Sequence, residues 1–217
     1  HRNHIGYNMK GNKILNTVAV LGLTMASVFG QADEIKASKD NKFAVGNPDF
    51  FELPSPSIDT GVNKKFKSKD WLEIEVKFKV QKLKSPPKDE YLDSVDVKWW
   101  IVVKGQDRKA YLMEKVVNHV NIPVDEEMIA SVYISPNTLR RITGSSSAGK
   151  SDLEAVGGEI LYNGEMVGFF THGQRKGWWR EDLKSIERTS KFPLLNKSET
   201  PFQTLWYDRY AEIAPKK

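Results

Sequence analysis

The stretch Trp71-Leu72-Glu73-Ile74-Glu75-Val76-Lys77-Phe78-Lys79-Val80 decides the fold. Leu72, Ile74, Val76, Phe78 and Val80 alternate with Glu73, Glu75, Lys77 and Lys79. That period of two places apolar side chains on one face and charges on the other. Wound at 3.6 residues per turn, the same hydrophobics would scatter around a cylinder, so the stretch predicts a half-buried β-strand in an antiparallel sheet. Its charged face is expected to meet solvent, with Lys77 and Lys79 discouraging unwanted pairing if the strand lies at an edge. A transmembrane barrel strand does not fit, because the polar face would need a water-filled lumen and the chain has too few long strands to enclose one.

Downstream, Ser85, Pro86 and Pro87 make a turn. Val95, Val97, Trp99, Ile101 and Val103 then resume the alternation. The opposite face of this second strand carries Trp100 and Val102 among Asp96, Lys98 and Lys104, which predicts that another segment covers it. After a turn at Gly105–Lys109, Ala110–Ile122 forms a strand stopped by Pro123, and Glu127–Ile134 another. Ser135 before Pro136 predicts an N-cap and a short helix over Pro136–Ile142. Gly158–Tyr162 and Glu165–Phe170 flank Asn163-Gly164, a strong hairpin signal because both turn residues tolerate positive φ. Glu181–Ser190 reads as a short helix or loop. Near the end, Thr200, Pro201 and Gln203 combine a capping box with proline at the first helical position. Phe202, Leu205, Trp206, Tyr210 and Ile213 fall on one stripe, which predicts a C-terminal amphipathic helix of about three turns packed on the sheet.

Upstream, Lys42–Val45 reads as a short strand, and Gly46–Gly61, with Pro48, Pro54 and Pro56, as an extended irregular segment. Lys64, Lys65, Lys67 and Lys69 read as a solvated charge run, and Asp33–Asn41 as a mobile terminus. The strand series with only short helices argues against parallel βαβ folding. The expected fold is mainly β, an antiparallel β-sandwich with short helices and the C-terminal helix, a single domain over residues 33–217.

Residues 9–32 read as a signal peptide: Met9, Lys10 and Lys13 precede an apolar run from Ile14 to Val28, and Gly30 and Ala32 suit a cut before Asp33. Residues 1–8 read as an upstream leader. The alternative, a retained anchor, is disfavoured because the run falls short of the roughly 18 to 20 residues that span a bilayer. No cysteine is present downstream, so lipidation is not expected. Export to the periplasm, outer membrane or extracellular space is the predicted localisation. Residues 1–32 contain Arg2, Lys10 and Lys13 and no acid, so more than half of the net charge of +5 belongs to them and nucleic acid loses its main support as a partner. Without cysteine, stability must come from burial, for which the chain beyond Asp33 is long enough.

Gly144-Ser145-Ser146-Ser147-Ala148-Gly149-Lys150-Ser151 matches the phosphate-binding pattern GxxxxGK[ST]. Such a loop needs a buried strand before it and a helix after it, whereas here a helix is predicted before the loop and Gly157-Gly158 interrupts the segment after it. A flexible Ser/Gly loop is the better reading. His119 and His172 are the bases nearest neutral pH after Asp33 and read as strand residues, without the ligand spacing of a metal site or a nucleophile motif. No catalytic residue, cofactor or metal is expected. Trp99-Trp100 and Trp178-Trp179 must each point their rings in different directions on an extended backbone. Exposed rings at Trp100, Trp178 or Trp179 beside Arg175, Lys176 or Arg180 would form a platform for a glycan or a protein partner. The alternative is that all four rings are packed, Trp178 and Trp179 beneath the terminal helix.

Gly177-Trp178-Trp179-Arg180, Thr200-Pro201-Phe202 and Trp206-Tyr207-Asp208-Arg209-Tyr210, with the exported leader and strand series, carry a resemblance. The chain resembles small exported proteins encoded in the type IV pilus-like gene cluster of Akkermansia and related Verrucomicrobia. The resemblance implies an immunoglobulin-like domain associated with the outer membrane or pilus, with a homo-oligomer among the expected assemblies and no catalytic residues to carry over. The leader departs from a type IV pilin, lacking the glycine followed by a glutamate-bearing hydrophobic stem. The leading expectation is a non-enzymatic exported protein of cell-surface or pilus-associated assembly or host contact, with protein partners. A carbohydrate-binding module using the tryptophan platform is the alternative.

Overall fold

The computed structural model describes residues 36–57, 61 and 67–215. The leader and signal peptide readings lie outside these residues, as do Lys64 and Lys65 of the charge run; Lys67 and Lys69 are exposed.

Ten strands form two five-stranded sheets among the described residues. The first holds β1 (Lys42–Val45), β2 (Asp49–Pro54), β3 (Asp70–Lys82), β6 (Glu127–Ile134) and β10 (Leu195–Asn196). β3 is its axis: β6 pairs along one side, and β1 and β2 share the other. The second runs in the order β8 (Glu165–His172), β7 (Leu153–Tyr162), β4 (Tyr91–Lys104), β5 (Ala110–Pro123) and β9 (Ile186–Arg188). The expected mainly β sandwich is present. The core lies between the sheets, where Leu72, Ile74, Val76 and Phe78 of β3 meet Val95, Val97, Trp99, Ile101 and Val103 of β4, all buried. The period of two thus sends both alternating sets inward. Two buried rings, Trp99 and Phe170, meet with centroids 4.7 Å apart.

The local signals also hold. The helix α1 spans Pro136–Thr143, with the Ser135 hydroxyl accepting from Thr138 N–H at 3.3 Å and Gly144 closing it at φ 74°. Asn163 (φ 52°) and Gly164 (φ 78°) turn the β7–β8 hairpin. Both conformations lie in the left-handed region, which asparagine and glycine tolerate best.

Four expectations are corrected. The irregular reading of Gly46–Gly61 gives way to β2, whose Asp49–Pro54 pairs with Asp70–Glu75 and leaves its proline at the strand end. The terminus is tied at Ser38, whose N–H donates to Met166 O at 2.7 Å. The sheets are not antiparallel throughout, since β9, in the stretch read as helix or loop, pairs parallel with β5. The C-terminal amphipathic helix is absent. Residues 201–206 are turns and Tyr207–Arg209 is one 3-10 turn. The cause is a side-chain competitor: Lys197 Nζ donates to the carbonyls of Phe202 (2.7 Å), Gln203 (3.4 Å) and Leu205 (2.5 Å), which a helix would use for its own ladder. Trp206, at φ 51° and ψ 35°, is left-handed and breaks any right-handed run.

This C-terminal segment works as a strap. Ala211 N–H donates to Ile129 O of β6 at 2.8 Å, and Val120 N–H of β5 donates to Glu212 O at 2.9 Å. One short stretch therefore bonds to a strand of each sheet.

Candidate functional site

The six residues proposed as a contact surface come together on the outer face of the second sheet. Gly177, at φ 85°, turns the chain into the 3-10 turn Trp178–Arg180. Trp178 and Trp179 are only 4% and 3% exposed, so neither offers a face to a sugar ring. They build a second small core with Val102, Leu112 and Ala155, with half-buried Trp100 against it. The cover is residues 178–186 rather than a terminal helix, and it explains why Trp100 and Val102 interrupt the polar face of β4.

The fit depends on glycine. β4 and β7 pair Trp100 with Gly157 and Trp99 with Gly158. A Cβ on Gly157 would collide with the Trp179 ring, and one on Gly158 with the Phe170 ring. Trp179 stacks on Trp100 (5.7 Å, 15°) and stands perpendicular to Trp178 (5.9 Å, 87°). Its Nε1 donates to Glu159 Oε1 at 2.8 Å, and Arg180 Nε donates to the same oxygen at 2.6 Å. Trp100 Nε1 donates to Glu114 Oε1 at 2.8 Å. Arg175 pairs with Glu181 at 2.6 Å, and Lys176 Nζ lies 5.8 Å from the Phe169 centroid. The basic residues thus brace the cluster.

Beside this cluster opens a cleft of about 600 Å³. Val102, Ala155, Trp178, Leu183 and Ile186 supply its apolar lining, and Lys104, Arg108 and Lys109 with Glu154 and Asp182 a margin of mixed charge. Lys109 is paired with Glu187 at 3.2 Å. Trp178 Nε1 is buried with no acceptor among the described residues. An apolar pocket of this size with a few converging polar groups is the usual form of a binding site. Sequence reading found the tryptophans but missed the cleft, because Lys104–Lys109 and Leu183–Ile186 meet only through the parallel β5–β9 pair.

The outer face of the first sheet was missed altogether. Glu73 and Glu75 are 2% and 5% exposed, which corrects the expectation of a solvated charged face on β3. The strap covers them. Tyr133 Oη donates to Glu73 Oε1 at 2.5 Å, and Tyr210 Oη lies 2.9 Å from Glu73 Oε1 and 3.2 Å from Glu75 Oε2. One hydroxyl hydrogen serves only one carboxylate at a time. Burial, then the charge of Glu73, pushes Glu75 above its ordinary range, against the hydrogen bond from Tyr210, which lowers it. Burial first, then Glu73, raises both tyrosine hydroxyls. Burial lowers the Lys197 ammonium, which lies 4.7 Å from the Tyr210 centroid.

His119 is fully buried, and burial lowers its pKa to about 4. The neutral ring donates from Nδ1 to Ala211 O at 3.1 Å, pinning the strap. His172 is exposed with its ring 4.7 Å from that of Phe50. In the Gly144–Ser151 loop, Gly149 N–H donates to Asp152 and Lys150 N–H to Glu52, both at 2.9 Å. Carboxylates therefore occupy amides a phosphate would need, and the loop leads only into the three-residue 3-10 turn Lys150–Asp152. Among the described residues no group of three or more His, Asp or Glu side chains is placed to hold a metal ion, and no helix is long and apolar enough to cross a membrane.

The two sheets define a β-sandwich. A family model matches residues 34–217, and the chain belongs to that family. A crystal structure of a protein from Akkermansia muciniphila is similar to it, with TM-score 0.75 and 35% identity over 82% of this chain and 95% of that one. No curated protein matches.

Proposed function

We propose that the chain is a non-enzymatic exported protein that binds a protein partner in cell-surface or type IV pilus-associated assembly or host contact, built on an immunoglobulin-like sandwich. The cleft beside Trp178 carries this reading: its apolar lining and its margin of both charges, Lys104 and Arg108 with Glu154 and Asp182, suit a partner segment with an apolar side chain flanked by charged groups. The histidines support a non-catalytic role, since His119 is committed to the strap and His172 packs on Phe50.

Crosslinking at the native cell surface tests it. A protein partner is expected in surface fractions, lost when Lys104→Glu and Arg108→Glu are combined. Light scattering on protein starting at Asp33 reports whether that partner is a second copy. A strictly soluble periplasmic monomer with no surface partner overturns the reading.

A further inference from the structure

The strap has features that covering the first sheet does not require. Its Phe202 already does that work: it is 1% exposed, stacks on Tyr133 (5.5 Å, 11°) and meets Trp71 edge-on (5.8 Å, 86°). Four residues on, Trp206 and Tyr207 face outward, 50% and 60% exposed. Trp206 is held in the left-handed region, a conformation a bulky side chain adopts at a cost and which persists only where surrounding contacts impose it. Those contacts are present. Lys197, 5% exposed, commits its ammonium to three carbonyls of residues 202–205, and Arg209 N–H donates to Trp206 O at 3.0 Å. A desolvated cation thus fixes a loop that presents two aromatic rings to solvent.

Beside the loop is a hollow of about 250 Å³ whose wall includes Tyr207 and Tyr210, with Ser198, Gln203, Thr204 and Glu212 as polar groups. Aromatic faces next to hydroxyl, amide and carboxylate groups match a pyranose ring, which offers apolar C–H faces and equatorial hydroxyls. A cationic ligand fits less well, because the Lys197 ammonium already lies over the Tyr210 ring. We infer that the strap carries a binding site for neutral carbohydrate, with Tyr207 as the stacking wall of the hollow, the exposed Trp206 next to it in the chain as a second ring, and Gln203 and Thr204 as hydroxyl partners, Glu212 being already engaged by Asn121. The site is on the outer face of the first sheet and does not depend on the cleft.

The test is tryptophan emission of protein starting at Asp33, titrated with short chito-, galacto- and gluco-oligosaccharides and, in a separate arm, with tetramethylammonium. A saturable change with at least one sugar is expected, about tenfold weaker in Trp206→Ala and in Tyr207→Ala and unaltered by Arg108→Glu in the cleft. Saturation-transfer NMR reads the same binding independently of the indoles. Tyr207→Ala carries the test if Trp206→Ala alters the circular dichroism. Absence of any sugar response, equal affinity in the strap variants, a response to tetramethylammonium alone, or sugar binding lost with Arg108→Glu overturns the inference.

Discussion

The two outer faces of the sandwich are both covered, but with opposite chemistry. On the second sheet the cover is apolar: Trp178 and Trp179 lie on Val102, Leu112 and Ala155. On the first it is polar, a chain of Tyr133, Glu73, Tyr210 and Glu75 beneath a strap anchored by Lys197 and His119. The apolar cover is held chiefly by area and shape, with Glu159 bracing Trp179 and Arg180, and has little dependence on solution conditions. The polar cover is held by satisfied hydrogen bonds whose loss exposes groups to a desolvation cost, so it responds to pH.

The largest break in this contrast is on the apolar side. Trp179→Ala removes the ring that links Trp100, Trp178 and Glu159, and is expected to cost about 3–5 kcal/mol. Denaturant unfolding measures it, with a loss that is the same at pH 5 and pH 7. On the polar side, His119 is lowered from 6.5 to about 4, so its stabilising contribution is present above pH 6.5 and disappears as pH falls toward 4. That amounts to about 3 kcal/mol. Stability measured across this range should fall in the parent protein and stay flatter in His119→Gln.

Lys197→Met leaves the carbonyls of Gln203 and Leu205 without their side-chain donor, and that of Phe202 with only Leu205 N–H, and should cost about 2–3 kcal/mol. Hydrogen exchange would then quicken in the strap while the β7–β8 hairpin stays protected. Gly157→Ala pushes a methyl group against Trp179 and should cost about 1–3 kcal/mol, seen as a shift in the unfolding midpoint. The smallest effect sharpens the comparison most. Glu75 is raised above 4.5, so its contribution is full below that pH and is lost as pH rises through its folded value, opposite in sign to His119. Glu75→Gln should gain on the parent protein as pH climbs above 4.5 and then level off, in parallel denaturation series.

The contrast also explains what could be read without coordinates. Trp100 and Val102 break a polar face, and such a break announces a cover. Glu73 and Glu75 keep the alternation with Lys77 and Lys79 intact, so nothing in β3 separates its buried glutamates from Lys79, which is exposed. The terminal stripe of Phe202, Leu205, Trp206, Tyr210 and Ile213 has helical spacing. The donor that diverts its carbonyls, Lys197, precedes the stripe and carries no local sign of its role. Trp206 and Tyr207 were visible as aromatics, but their exposure depends on a left-handed backbone held from elsewhere.

From residue order alone came the strands β1 and β3 to β8, the capped helix, the Asn163-Gly164 turn and the inward faces of both sheets, because each arises from side-chain periodicity or from backbone preferences acting within a few residues. The tertiary structure alone decided which charged face is buried, which tryptophans are exposed and where the cleft and strap hollow lie. Those outcomes depend on contacts between segments far apart in the chain, as where Tyr210 meets Glu73 and His119 meets Ala211, and on one buried lysine whose hydrogen bonds outweigh the intrinsic preference of the segment that follows it.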